Sequence, residues 1–187
     1  MDEEIQFYLD ELTDSMEKAV AHVGVEMSRI RAGKASPSML DSIRVDYYGT
    51  PTPLAQVANV STPDARSLFI KPWEKNMVSE IAKAIKNSDL GLNPVSDADG
   101  VRLNIPSMTE ERRRDLVKQA KSDAETGKIR VRAIRKDVND ALKKLQKDGA
   151  SEDAIKVAED KVQKTTDSYI AEVDKLLSTK ESEIMTI

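Results

Sequence analysis

Cysteine is absent from this chain, and aromatic residues make up only 4% of it. Without thiols there is no disulfide, no iron–sulfur cluster and no thiolate zinc site, which fits a reducing compartment. One Trp, two Phe and four Tyr are too few for a platform on which successive bases stack, or for a deep aromatic-lined pocket. No apolar run nears the roughly 18 residues that a bilayer crossing needs. The opening MDEEIQFYLDEL is acidic, where a secretory signal is basic and then apolar. The expectation is a soluble, cytoplasmic protein that meets no membrane.

Proline is missing from two long stretches, since all seven lie between Pro37 and Pro106. A proline inside a helix removes a hydrogen bond and clashes with the preceding turn. The flanks are therefore free to be continuous helices, and the middle is not. Apolar residues in the first flank step by four and three: Ile5, Leu9, Leu12, Met16, Ala19, Val23, Met27, Ile30. Val117, Ala120, Ala124, Gly127, Val131, Ile134, Val138, Ala141 and Leu145 do the same, as do Ile155, Ala158, Val162, Thr165, Tyr169, Val173 and Leu176. Such spacing marks helices packed along a shared seam. Thr109 caps the second helix, Gly149 stops it and Ser151 caps the third. At about 39 residues the second helix spans roughly 58 Å, and the short loop after it makes its neighbour antiparallel.

Between the flanks, SIRVDYY and VRLNI alternate apolar and polar residues as half-buried strands do, with QVANV and RSLFIKPW as further strand candidates. One helical stripe, Met77, Ile81, Ala84 and Ile85, lies among them. The expected fold class is α+β: an antiparallel three-helix bundle of residues 1–31 and 107–187, interrupted by a small β/α/β module of residues 32–106. Gly, Pro and Ser at the two crossings mark Arg31, Ala32, Gly33, Pro106 and Ser107 as a hinge.

The charge is unevenly divided. The chain carries a net −4, yet residues 109–147 hold 13 basic and 7 acidic groups, while 1–31 and 148–187 are each −5 and 32–108 is neutral. Arg114, Lys118, Lys121, Glu125, Lys128, Arg132 and Arg135 step by four and three, a stripe offset from the apolar seam. Two readings fit: pairing with the acidic helices beside it, or contact with a phosphate backbone, for which arginine's forked guanidinium is well suited. Arg132 and Arg135, one turn apart with no acid between them on that face, are the leading ligands, with Lys128 on the same stripe.

Little else carries chemistry. GKAS, Gly33 to Ser36, resembles the end of a phosphate-binding loop but has Ser28 and Ala35 where glycine and Ser or Thr are required. His22, the single histidine, has no patterned carboxylate partner and reads as a partly buried structural residue. Trp73 reads as a core or rim residue. No catalytic residue, metal site or cofactor is expected. An adaptor docking an acidic protein partner, and an enzyme using carboxylates gathered in a module cleft, are the competing readings.

RAGKASPSMLD, VDYYGTPTPL, SDLGLNP, TEERRRDLVKQAK and VRAIRKDVND, in that order across nearly the whole chain, resemble the bacterial ribosome recycling factor family. The resemblance implies an L-shaped molecule whose two parts are joined by two short strands. It implies a factor, acting as a monomer, that binds the ribosome after termination while messenger RNA and deacylated transfer RNA remain on it. With elongation factor G and GTP it separates the subunits, the partner hydrolysing the GTP. By position, the family's contacts to large-subunit ribosomal RNA fall on Arg113, Arg132 and Arg135.

Overall fold

The computed structural model describes residues 2–31 and 33–186. Its elements in chain order are α1 (Asp2–Arg29), β1 (Arg44–Tyr47), β2 (Thr50–Pro53), α2 (Leu54–Val57), β3 (Ala58–Asp64), β4 (Ser67–Pro72), α3 (Val78–Lys86), β5 (Pro94–Ser96), β6 (Val101–Asn104), α4 (Glu110–Lys147) and α5 (Glu152–Met185). Short 3-10 turns cover Pro37–Leu40 and Lys75–Met77. The class is α+β, with long helices and a small sheet-bearing module. The chain divides into two compact units, residues 1–31 with 110–186 and residues 32–109. The expected division stood at Pro106 and Ser107. Residues 107–109 fall with the module, where the Arg66 guanidinium donates to Ser107 Oγ at 2.8 Å.

In the helical unit α1, α4 and α5 all pack on one another. Residues 2–9 line a cleft with 153–161, and 20–28 line another with 172–183, so α1 and α5 run parallel. Arg135 reaches Gln163 while Lys128 reaches Asp174, so α4 runs opposite to α5. Leu12, Met16, Val23, Ala120, Ala124, Val131, Leu142, Ile155, Val162, Val173 and Ile184 form the buried centre. Each buried Leu, Ile, Val or Met there contributes about 1.5–3 kcal/mol of transfer free energy before entropy is charged against it.

Seam residues such as Leu9, Ile134 and Tyr169 are only partly buried. Along the helices the buried line shifts by one position from the sequence seam at Leu116, Leu142 and Thr166. Leu116 is buried rather than Val117, Leu142 rather than Ala141, and Thr166 rather than Thr165. A straight α-helix drifts by about 20° per heptad against a 3.5-residue repeat, so a long helix hands its buried face to the next position along. Thr166 is tolerated because its hydroxyl donates to the Val162 carbonyl at 2.7 Å. Ser151 caps α5, its side-chain oxygen accepting from the Ala154 amide at 3.4 Å.

The module holds two sheets. β1 and β2 form an antiparallel hairpin around Tyr48 and Gly49, both at positive φ (49° and 85°), as a two-residue hairpin turn requires. The second sheet is antiparallel in the order β3-β4-β6-β5. Leu68 and Ile70 of β4 pair with Leu103 and Val101 of β6, and their shared face packs with Ile81 and Ile85 of α3 in one core. The expected strand over QVANV begins instead as the single turn α2, where Leu54 and Val57, three residues apart, are both buried. β5 was not foreseen, being three residues long and starting with proline.

Candidate nucleic-acid interface

The candidate site is built on one side of α4. At 3.6 residues per turn, Arg114, Lys118, Lys121, Glu125, Lys128, Arg132, Lys136 and Lys143 all point within about 40° of one direction. The buried residues of α4 lie roughly 80–160° away from it, so this direction looks outward from the bundle. Lys136 and Lys143 extend the stripe past the part singled out in the sequence, and the same periodicity would have found them.

The four expected cations differ in what they touch. Arg132 is exposed, with 48% of its side chain open to solvent, and donates from Nη1 to Glu125 Oε1 at 3.3 Å. Arg135 is half-buried and among the described residues meets no acid, only the Gln163 amide oxygen at 3.5 Å. That amide in turn donates to Asp167 at 2.8 Å. Lys128 is committed to the fold: its side chain is 19% exposed and its ammonium is paired with Asp174 of α5. Arg113 is half-buried near the start of α4, and its Nε is buried with no acceptor among the described residues. It forms no ion pair among them either. An unpaired buried N–H is a costly arrangement.

Pairing and phosphate contact therefore divide along the stripe. Asp174 and Gln163 hold its inner edge, at Lys128 and Arg135. Lys118, Lys121, Lys136 and Lys143 on the outer part are exposed and unpaired among the described residues. The partners on α5 were invisible in the sequence because they depend on the register of α5 against α4, which no local pattern fixes.

The other singled-out residues settle readily. Gly33 has φ +75°, and a Cβ on it would sit 3.1 Å from Met108 Cγ. Arg31 is exposed, as are Pro106 and Ser107, and Ala32 lies outside the described residues. His22 is exposed rather than partly buried, and it does have a carboxylate neighbour, Glu26, at 3.8 Å one turn on. Trp73 stands at the rim of a module cleft of about 450 Å³, whose only acid is Asp41. Among the described residues no group of three His, Asp or Glu is placed to hold a metal, and no helix is long and apolar enough to cross a membrane.

The family model described as ribosome recycling factor matches residues 23–185. The ribosome-recycling factor of Cytophaga hutchinsonii is 57% identical over 99% of this chain and 100% of its own length. That of Flavobacterium psychrophilum is 55% identical, with both chains covered in full. Among solved structures, a ribosome recycling factor in solution is 36% identical, with a TM-score of 0.71 and 98% of each chain covered. The T. thermophilus ribosome recycling factor, seen with E. coli elongation factor G bound to the E. coli post-termination complex, is 42% identical. Its TM-score is 0.60, with 97% of this chain and 98% of that one covered.

Proposed function

The chain belongs to the ribosome recycling factor family, and from that premise we propose that the outward cations of α4 are its grip on large-subunit ribosomal RNA. A ribosome recycling factor binds the post-termination ribosome and, with elongation factor G and GTP, separates the subunits. Messenger RNA and deacylated transfer RNA are released and the ribosome is reused. The GTP is hydrolysed by elongation factor G, so this chain is not an enzyme. Its place of work is the cytoplasm, and it acts as a monomer.

The observation that carries the reading is the placement of Arg132 and Arg135. Arg132 stands exposed on the outward side of a helix of net +6. Arg135, half-buried at the inner edge of that side, is held only by the Gln163 amide oxygen and by no acid among the described residues. Each phosphate neutralised there releases condensed counterions, a gain that falls with salt. The −5 charge of each flanking segment disfavours nucleic acid on the other faces and so limits the orientations in which the bundle can dock. Arg113, half-exposed near the start of α4, is a third contact. Lys128 contributes mainly by fixing α4 to α5. The module then receives the push of elongation factor G, and three mutually packed helices carry it with little bending.

Arg132→Glu and Arg135→Glu are the test. Circular dichroism should be unchanged, ribosome affinity should fall, and the dependence of log affinity on log salt should flatten by about one per lost phosphate contact. Wild-type affinity after charge reversal would remove the RNA role. Capture of ribosomal particles from lysate should be lost on nuclease treatment; a nuclease-resistant protein partner would favour an adaptor.

A further inference from the structure

We infer that Glu125 is a built-in competitor for Arg132, occupying its guanidinium in place of phosphate and so setting how readily the factor leaves the ribosome. The inference rests on the RNA-binding reading of α4 and adds to it a residue that opposes binding.

Between Arg114 and Lys143, Glu125 is the only acid within about 40° of the Arg132 direction. Every other charged side chain in that sector is Lys or Arg. Its carboxylate does not serve the nearest cations on its own helix: Lys128, three residues on, is paired with Asp174 instead. Glu125 reaches Arg132, seven residues and roughly 10 Å away along the axis, with Oε1 accepting from Nη1 at 3.3 Å. Helical side chains lean toward the N-terminus, so Arg132 lies back along the stripe to meet it.

This pair does little for the fold. Helices are stabilised by pairs three or four residues apart, and both side chains are about half exposed (48% and 59%), where an ion pair contributes little. Its effect falls on binding. An incoming phosphate must displace the Glu125 carboxylate from Arg132, and the displaced charge then lies beside the RNA. Affinity is lowered and dissociation quickened, which a factor used repeatedly requires.

Glu125→Gln in the full-length chain tests this, titrated against large subunits at low and high salt. The expected result is binding about two- to fivefold tighter at low salt, seen mostly as slower dissociation and shrinking as salt rises. The gain should vanish in an Arg132→Gln background, and multiple-turnover splitting should slow. Unchanged or weaker binding overturns the inference, as does an equal gain in the Arg132→Gln background, which would show general repulsion instead of competition. Arg132→Glu separates the two levels. If it binds like the wild type, the RNA reading itself fails; if it binds weakly while Glu125→Gln is silent, only the role of Glu125 fails.

Discussion

At the scale of single residues, Asp123 shows how a position can be set by its neighbours across a helix pair. It lines a small cleft between α1 and α4 with His22, Val23, Glu26, Thr126, Gly127 and Arg130. Burial, and secondarily the charge of Glu26, raise its pKa above the ordinary carboxylate value. Arg29 at 3.0 Å offsets part of the Glu26 charge without removing it. A carboxyl whose pKa is raised on folding stabilises the native state relative to neutral pH only while protonated. That contribution is fully present below the unfolded-state value of about 3.9 and is lost as pH rises through the folded value. Asp123→Asn should therefore be more stable than the parent in urea denaturation at pH 7, with the difference closing below about pH 4. A constant difference at both pH values would show that packing, not ionisation, sets the effect. Nothing in the sequence places Glu26 beside Asp123; the register of α1 on α4 brings them together.

At the scale of elements, the helices were legible because their burial repeats many times. Seven or more apolar steps in each flank average out any single deviation, so the one-position drifts at Leu116, Leu142 and Thr166 left the helices themselves intact. The module had no such averaging. β5 is three residues with a leading proline, and α2 is a single turn after Pro53 whose Val57 reads locally as strand. Gly127 shows what close helix packing demands. A Cβ there would overlap Val23 Cγ2, and Val23 is buried and stiff at χ1. Alanine gains about 1 kcal/mol in helix propensity, while overpacking a core typically costs about 1–3 kcal/mol. Gly127→Ala is therefore expected to lower unfolding free energy in urea. Val23→Ala alone should cost stability too, but the double variant should be more stable than the sum of the two predicts. A stabilised Gly127→Ala would mean that α1 and α4 relax apart easily.

At the scale of the whole molecule, the partition of charge was fully legible, because net charge by segment needs no structure. Which cations stay free for a partner was not, since Asp174 and Gln163 reach the stripe from another helix. The chain passes between its two units twice, around residues 31–33 and at 109–110, so any push on the module travels through both crossings. Gly33 governs the first. Its φ of +75° lies in the left-handed region that disfavours a side chain, and a Cβ would press on Met108 at 3.1 and 3.2 Å. An L-residue there costs roughly 1–2 kcal/mol from the backbone alone, and Met108 must shift as well. Gly33→Ala leaves every cation of α4 in place, so ribosome affinity should stay within about twofold of the parent, under 0.5 kcal/mol. Subunit separation with elongation factor G and GTP should fall severalfold, because the crossing can no longer take up its native path freely. Met108→Ala added to Gly33→Ala relieves the crowding but not the backbone cost, so a partial recovery would divide the two causes. If binding and separation decline in step, the crossing only positions the module, and the working compliance must lie elsewhere in the chain.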